Sequence, residues 1–399
     1  MPDSTASNLN KTVLMVVYYF PPYAGVASQR SEKLHKYLPA QGWTPIAFTV
    51  DERYYGTRVL PRNGSLLWAQ DKEGQIVKLS YYRVPMTVFL TKVRFPVLAL
   101  SYATRHRDRI SAVYISGSPF HSFLITPILT SILHLPSVID FRDSWSINHG
   151  YDGKPADTLW AKARAQTIKI LEAIAIRFAT RAVFATTRLR EEYVELYPQW
   201  SYKFFTLHNG FDPEDVASVT PRRQYPRTTL ILAGKFHMYT PEAVDALMLA
   251  LRDTPDLSFV YVGEEHAIIK NAAHRHGVNA QVTTLSFQPQ KKVLELTAGA
   301  DIGLVTTGMV NGLGTKIFEY LALGKPAVCL VPEGSVISSE FHSTPSVLVS
   351  HPPHTASRIA ELLKRARTMV GHAQSTDLAP FNRRNNAAML AKWLDEISG

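Results

Sequence analysis

The sequence predicts an α/β protein of two doubly wound, Rossmann-like domains. At 399 residues and 46% hydrophobic content, the chain is long enough for two domains that each have a core. Short runs rich in Val, Ile and Phe alternate with longer helical patterns, as in parallel sheets covered by helices on both faces. The stretch TPRRQYPRTT at 220–229 has the composition of an interdomain linker. We therefore predict a first domain at 1–219 and a second at 220–399.

The individual elements are predicted from apolar runs, which indicate strands, and from helical periodicity between them. In the first domain the predicted strands are 13–18, 45–49, 112–116, 138–141 and 182–185, and the predicted helices are 26–41, 120–134, 159–179 and 187–197. In the second domain the predicted strands are 230–233, 259–262, 282–285, 302–305 and 327–331. A final helix, 385–397, follows the second sheet and is expected to pack back on the first domain.

Positive charge is concentrated in the first half of the chain. Residues 1–200 hold 24 Lys and Arg against 15 Asp and Glu, a balance of +9, whereas 201–399 hold 19 against 18. This excess predicts an anionic partner, either a phosphate-bearing acceptor or an anionic lipid surface. Nucleic acid is not expected, because no zinc-finger, RRM-type or KH-type signature accompanies the charge.

Cysteine content and the N-terminus favour a cytoplasmic protein. The single cysteine, Cys329, excludes a disulfide framework and a Cys-ligated metal site, and no secretory signal pattern is visible. The longest uncharged run, 110–139, is interrupted by one glycine and three prolines and carries two histidines. We predict that it forms strand, helix and strand rather than a membrane span.

Open parallel sheets bind ligands beyond the carboxyl ends of their strands, so residues that follow the strands are the site candidates. After the first strand, Gly25 would let backbone amides approach a ligand, or would simply make a turn. His121 begins the helix after 112–116, where it would face a ligand or be a structural histidine. In DFRDSW, Asp140 and Asp143 suggest a carboxylate pair, whereas Arg142 suggests an ion-pair network that holds a loop or positions a polar acceptor.

Further candidates lie at the domain junction and after the first strand of the second domain. Asn209 in LHNGFDP begins an Asn-Gly turn that would line a cleft. Gly234 and Lys235 follow strand 230–233. A lysine at that point can neutralise a diphosphate as a point charge, although a lone lysine is often merely exposed.

The motif NGLGTKIFEYLALGKP, residues 311–326, is the strongest signal. Gly312 and Gly314 free the backbone, and Thr315 is expected to cap the following helix. The amides at 315–317 would then offer hydrogen bonds to phosphate oxygens.

Glu319 lies one turn deeper in the same helix. Its carboxylate would accept hydrogen bonds from a ribose or sugar diol, or would complement the positive end of the helix dipole. The spacing alone leaves both interpretations open.

Four segments, VVYYFPPYAG, DFRDSW, HNGFD and GTKIFEYLALGKPAV, occur in an order that resembles the GT-B glycosyltransferases, particularly the retaining family 4 type that uses nucleotide-diphosphate sugars. The likeness runs over nearly the whole chain, and the last segment is the most specific. The resemblance implies two facing Rossmann-like domains, with the acceptor bound mainly by the first and the donor mainly by the second.

The resemblance also implies roles for individual residues. Glu319 would bind the donor ribose, and the helix start around Gly314, Thr315 and Lys316 would meet the diphosphate. Lys235, preceded by Gly234, stands where the family usually has an arginine on the diphosphate. Gly25 would approach phosphate from the first domain, and His121 would face the transferred sugar. The backbone near Phe287 would lie at the edge of the base.

Two positions depart from the family pattern. The family often has a glutamate seven residues before the ribose-binding one, and Asn311 stands there instead. A second basic residue is expected about six positions after Lys235, and Pro241 occupies that place. An asparagine can still hydrogen-bond a sugar hydroxyl, so Asn311 is kept as a donor-binding candidate.

The activity implied is retaining sugar transfer to an acceptor hydroxyl, with Lys235, Lys316 and helix amides stabilising the diphosphate. We expect no cofactor and no metal, because no Asp-x-Asp motif is visible. The expected acceptor is a glycan or a polyprenyl-diphosphate-linked glycan at an anionic membrane face, with 90–109 as a basic amphipathic helix or an ordinary core-facing one.

The alternatives to this function are a sugar-nucleotide epimerase of the same fold and a catalytically silent sugar-nucleotide binder. A dinucleotide-dependent oxidoreductase is disfavoured, because no G-x-G-x-x-G follows the first strand.

Overall fold

The computed structural model describes residues 11–23, 25–50, 75–79, 87–147, 158–220, 225–372 and 377–399. Contacts divide the chain into two compact units: unit 1 is Met1–His208 with Arg383–Gly399, and unit 2 is Asn209–Asn382. Unit 2 thus begins before the predicted linker, of which residues 221–224 lie outside the described part of the chain.

Residues just after His208 belong to unit 2 because they pack on its last segment. The Phe211 amide donates to the Phe381 carbonyl at 3.0 Å, and both rings are buried in one apolar cluster. Gly210 passes so close that a Cβ there would lie 1.7 Å from the Phe381 oxygen. The glycine of the Asn-Gly pair is therefore required by a close backbone approach.

Unit 1 contains a parallel sheet in the order β3-β2-β1-β4-β5-β6-β7. Its strands are β1 Lys11–Val17, β2 Trp43–Val50, β3 Gln75–Leu79, β4 Ala112–Ser116, β5 Ser137–Phe141, β6 Arg181–Phe184 and β7 Phe204–Thr206. Its helices before the junction are α1 Val26–Tyr37, α2 Thr87–Arg105, α3 Thr126–Ser131, α4 Leu159–Phe178 and α5 Thr187–Leu196.

The strands form where the chain can bury both of its faces. In β1, Leu14 and Val16 join one buried cluster, while Val13, Met15 and Val17 join another. Successive side chains of a strand point to opposite faces, so both sides of this sheet are covered. The uninterrupted apolar runs of the sequence are explained by that burial.

Unit 2 repeats the plan, with parallel strand order β10-β9-β8-β11-β12-β13. Its strands are β8 Thr228–Ala233, β9 Leu257–Val262, β10 Val282–Leu285, β11 Ile302–Thr306, β12 Ala327–Leu330 and β13 Val347–Ser350. Its helices are α6 Pro213–Ala217, α7 Pro241–Arg252, α8 His266–Arg275, α9 Gln290–Gly299, α10 Lys316–Ala322, α11 Val336–Glu340 and α12 Ala356–Met369.

The last helix, α13 Arg383–Ser398, returns to unit 1 as predicted. Its buried residues share a cluster with Leu34 of α1 and Trp43 of β2. The Asn386 amide side chain donates to the His208 carbonyl at 2.8 Å, and the Trp43 indole donates to Asp395 at 3.1 Å. The doubly wound architecture of both sheets and the return of the final helix are confirmed.

Two segments that raised the question of a membrane have a clear structure. Residues 110–139 form β4, a 3₁₀ helix at Phe120–Ile125, α3 and β5, which confirms strand, helix and strand. Helix α2 covers much of 90–109 and buries Phe95, Ala99 and Ala103, so it is the core-facing helix of the two alternatives. No helix within the described ranges has both the length and the apolar character to span a bilayer.

Two buried lysines close the C-terminal ends of helices, where carbonyl oxygens lack partners. Lys203 donates to the carbonyls of Arg177 at 2.9 Å and Ala179 at 2.8 Å, and burial lowers the pKa of Lys203 to about 8. Lys325, from the Gly-Lys-Pro of the strongest motif, donates to the carbonyls at 298 and 300 that end α9. Burial lowers the pKa of Lys325 as well. This lysine therefore has a structural role.

Candidate functional site

The order of strands reverses between β8 and β11 in unit 2, and doubly wound sheets bind ligands at such a point. The segment after β8 carries Gly234 and Lys235, and the one after β11 carries the Gly-rich turn. The end of β11 contacts the first of these segments, because the Thr306 hydroxyl donates to the Lys235 carbonyl at 2.6 Å. The structure therefore brings Lys235 and the Gly-rich turn to one edge of one sheet.

Three polar side chains form a cluster beside the start of α10. The Lys316 ammonium lies 3.0 and 3.2 Å from the two carboxylate oxygens of Glu319, and 2.9 Å from the Gln290 side-chain oxygen. Gln290 in turn donates to Glu319 at 2.7 Å. Lys316 and Glu319 are only 21% and 12% exposed, so this pair is held in place more firmly than a surface ion pair. The sequence offered no motif that would have identified Gln290.

The two glycines of the turn are needed for close packing. A Cβ at Gly312 would lie 2.2 Å from the Thr307 hydroxyl, and one at Gly314 would lie 2.5 Å from a methyl carbon of Val305. Neither glycine is among those with a positive φ, unlike Gly234 at +145°. The prediction that these positions require glycine is explained by proximity rather than by left-handed backbone.

Two expectations about the start of α10 are wrong. Thr315 occupies the cap position with helical angles, φ −60° and ψ −17°, and its side chain makes no capping hydrogen bond. A capping hydroxyl needs an extended backbone at that position. The Ile317 amide donates to the Gly314 carbonyl at 3.0 Å and is already engaged. The amides of Thr315 and Lys316 donate to no acceptor within the described residues.

Phe287, Asn311 and Lys235 lie in loops of the same unit. Phe287 follows β10 and is 55% exposed, and Asn311 is half-buried at the start of the turn. The Lys235 ammonium lies 5.9 Å from the centre of the Tyr239 ring. The donor-binding roles of these three residues stay predictions.

In unit 1, Gly25 and His121 follow strands, as expected. Gly25 is the residue before α1 and has an extended backbone with φ 177°, which any residue can adopt. His121 is half-buried in the 3₁₀ helix after β4. Their proposed approaches to phosphate and sugar remain predictions.

Asp140, by contrast, is fully buried in an ion pair with Arg30. The Arg30 guanidinium donates to both carboxylate oxygens at 2.8 Å each, and the Tyr114 hydroxyl donates to the same group. Burial alone would lower the pKa of Arg30, but the Asp140 charge raises it overall. Arg30 also donates to the carbonyls of Leu207 at 2.8 Å and His208 at 3.0 Å. Of the two alternatives for Asp140, the geometry favours the ion-pair network over contact with an acceptor.

The remaining candidates for acceptor binding, Arg142, Asp143 and Asn209, have different surroundings. Arg142 donates to the Gly117 carbonyl, whereas Asp143 is exposed. Asn209 begins unit 2. Of the predicted carboxylate pair, only Asp143 is therefore open to solvent.

A buried glutamate that the sequence did not reveal holds the loop after β5. Glu172 of α4 is 0% exposed and accepts hydrogen bonds from the Ser146 amide at 2.9 Å and hydroxyl at 2.6 Å. The hydroxyls of Tyr193 at 2.6 Å and Tyr197 at 2.9 Å complete its partners. The DFRDSW loop is therefore anchored to α4 by a carboxylate that lies far from it in sequence.

Comparison with known proteins agrees with this geometry. Residues 230–369 match the family model described as "Glycosyl transferases group 1". No curated protein matches the chain. Solved structures share its fold: a glycosyltransferase from Rickettsia africae is 15% identical with a TM-score of 0.68, covering 97% of this chain and 98% of that one.

Two further structures are similar over comparable lengths. Anabaena HepE, solved in complex with UDP and glucose, is 14% identical with a TM-score of 0.65, covering 97% of this chain and all of its own. WaaG, a glycosyltransferase involved in lipopolysaccharide biosynthesis, is 14% identical with a TM-score of 0.63 and the same coverage. The chain thus has the GT-B fold, and its residues 230–369 match the glycosyl transferases group 1.

Proposed function

We propose that this protein is a retaining glycosyltransferase of the family 4 type, moving a hexosyl or related sugar from a nucleotide-diphosphate sugar to an acceptor hydroxyl. The observation that carries the proposal is the Lys316, Glu319 and Gln290 cluster, which lies in the glycosyl transferases group 1 domain beside the Lys235 loop. The UDP-bound HepE structure supports a nucleotide donor for this fold.

The proposed chemistry assigns tasks to Lys316 and Glu319 of the cluster, to Lys235 and to two backbone amides. Glu319 binds the ribose hydroxyls, and Lys235, Lys316 and the amides of Thr315 and Lys316 receive the diphosphate. The anomeric carbon loses its bond to the leaving phosphate oxygen and gains one to the acceptor oxygen on the same face. The acceptor proton passes to the leaving phosphate, so this scheme needs no side-chain base.

Neutralisation of the leaving diphosphate is assigned to lysines. Lys316 is shared between Glu319 and Gln290 in this structure, so donor binding must redirect its ammonium toward phosphate. Our proposal includes no cofactor and no metal. Within the described ranges, no group of three or more His, Cys, Asp and Glu side chains is arranged to hold a metal ion.

Acceptor-dependent release of nucleoside diphosphate tests the proposal. Purified protein is incubated with UDP-, GDP- and ADP-sugars, with and without polyprenyl-diphosphate-linked glycans, and released nucleotide is measured. We expect release that requires both donor and acceptor. Binding without release would instead indicate a silent sugar-nucleotide binder, and conversion of the donor sugar without acceptor would indicate an epimerase.

We further propose that the acceptor is a membrane-linked glycan of bacterial polysaccharide or glycolipid assembly, reached at an anionic membrane surface through α4. In α4, Leu159 and Trp160 are each 87% exposed, and Ile170 and Ile174 are 52% and 38% exposed. Exposed apolar side chains of this kind indicate an interaction surface.

Charge on α4 favours an anionic lipid surface as the partner. Four exposed basic residues of α4, Lys162, Arg164, Lys169 and Arg177, accompany the apolar side chains. The acid of this helix, Glu172, is buried in the hydroxyl network and adds no exposed negative charge. Each basic residue near an anionic leaflet contributes about 1 kcal/mol to binding.

Vesicle sedimentation tests this surface. We expect the protein to sediment with vesicles containing phosphatidylglycerol, to bind pure phosphatidylcholine weakly, and to be released by salt. The double variant Trp160→Ser/Ile170→Ser should lose binding. Tyr202→Ser is the matched control, because Tyr202 is 76% exposed in the same unit but lies outside α4. Equal loss in both variants, or no loss in the α4 variant, would contradict the assignment.

A further inference from the structure

The loop that carries Lys235 is held by side chains along five consecutive residues. The Tyr261 hydroxyl donates to the Gly234 carbonyl at 2.7 Å, and the Thr306 hydroxyl donates to the Lys235 carbonyl at 2.6 Å. The next three residues are held through their amides by one carboxylate, Glu265. A loop with this many fixed backbone groups has few alternative conformations.

Glu265 accepts three hydrogen bonds from consecutive backbone amides. Its Oε2 accepts from Phe236 at 2.6 Å and His237 at 2.9 Å, and its Oε1 accepts from Met238 at 2.8 Å. Consecutive amides that converge on an anion form the kind of concavity in which proteins bind phosphate or carboxylate groups. In this chain the anion in that concavity is a side chain of the protein.

The position of Glu265 makes this use of its carboxylate unusual. It is the residue immediately before α8, where an acidic side chain ordinarily caps its own helix. Its side chain makes no such capping bond. The Glu265 amide instead donates to the Tyr261 hydroxyl at 3.2 Å. This bond links Glu265 to Tyr261, which also holds the loop.

We propose that Glu265, supported by Tyr261, is a positioning residue that fixes the loop after β8 so that Lys235 is presented to the donor diphosphate. The inference rests on the proposed function, because Lys235 is assigned to the diphosphate there. Glu265 itself touches no substrate in this account. A preorganised loop binds with a smaller loss of conformational entropy than a loop that must order on binding.

A double-mutant cycle with UDP, GDP and ADP as probes tests the inference. Affinity is measured by calorimetry for the wild type, Lys235→Ala, Glu265→Gln and the double variant. Glu265→Gln keeps the shape of the side chain and one acceptor oxygen, but it removes the charge and sets an NH₂ group against at least one of the three N–H donors, so we expect about tenfold weaker binding. Because Glu265 acts through Lys235, the double variant should bind no more weakly than Lys235→Ala.

Glu264→Gln is the matched control. Glu264 is the preceding residue and is exposed. Its substitution removes the same charge as Glu265→Gln. We expect the Glu264→Gln variant to bind the nucleotide probes with the affinity of the wild type. Tyr261→Phe removes only the hydroxyl and provides a second variant if Glu265→Gln unfolds. It should weaken binding in the same direction, and hydrogen exchange at 236–238 should rise in both loop variants.

The outcomes separate the inference from the function on which it rests. A wild type that binds none of UDP, GDP and ADP overturns the proposed donor and the positioning role with it. A wild type that binds, together with a folded Glu265→Gln variant of unchanged affinity, overturns the positioning role alone. Losses that multiply in the double variant would also overturn it, because they would show that Glu265 acts independently of Lys235.

Discussion

Replacing Glu319 with alanine is expected to abolish the thermal stabilisation that a true sugar-nucleotide donor gives the wild type. The carboxylate is assigned to the ribose hydroxyls, and hydrogen bonds to a charged group contribute roughly 1.5–3 kcal/mol. Loss of that contribution weakens binding by about 10- to 100-fold. A ligand that binds only the folded state stabilises it by RT ln(1 + [L]/Kd), so differential scanning fluorimetry at a donor concentration below the weakened Kd reports the loss directly.

The control for this experiment is Glu295→Ala. Glu295 forms an ion pair with Lys292 at 3.4 Å and at the same three-residue spacing, but the pair is 53% and 39% exposed in α9. It removes one carboxylate from the same unit without touching the cluster. A full donor-induced shift in Glu319→Ala would show that the ribose assignment is wrong.

Asp140→Asn is expected to lower the free energy of unfolding by about 3–5 kcal/mol, the cost of leaving one partner of a buried ion pair uncompensated. Arg30 is 4% exposed and Asp140 is 0% exposed, so solvent cannot replace the lost charge. The asparagine amide would also direct N–H donors at a guanidinium that has only donors. Urea unfolding followed by circular dichroism measures the change.

The control for the buried pair is Glu396→Gln. Glu396 pairs with Arg181 in the same unit at 2.5 Å, but its side chain is 43% exposed. Exposed pairs contribute about 0–1 kcal/mol, so the control should remain close to the wild type. If Asp140→Asn unfolds at the same urea concentration as Glu396→Gln, Asp140 is not a structural residue and the acceptor assignment regains support.

Much of the fold could be predicted from the sequence because the strands are buried on both faces. Runs such as 112–116 and 282–285 coincide with β4 and β10. Strand β7 was missed because its three residues carry no usable periodicity, and β13 was missed although β10, of the same four-residue length, was predicted. Strand β3, at Gln75–Leu79, was missed as well.

The candidate site was predicted only where its partners are near in sequence. Lys316 and Glu319 are three residues apart on one helix, so their proximity follows from helical spacing. Arg30 and Asp140 are 110 residues apart, and Glu265 is 27–29 residues from the amides that it holds. Such pairs depend on the order of strands in the sheet, which the sequence does not state. The capping prediction for Thr315 was wrong because residue type alone does not determine backbone angles.

Helix α9 is fastened at both ends to residues around the strongest motif. At its start, Gln290 contacts Lys316 and Glu319; at its end, the carbonyls at 298 and 300 accept from Lys325. Helices α9 and α10 are therefore coupled through side-chain contacts, although a strand separates them in sequence. We expect that a chimera importing α10 must import α9 with it, since the retained α9 would otherwise lose the Gln290 contacts with Lys316 and Glu319, the carboxylate that we assign to the ribose.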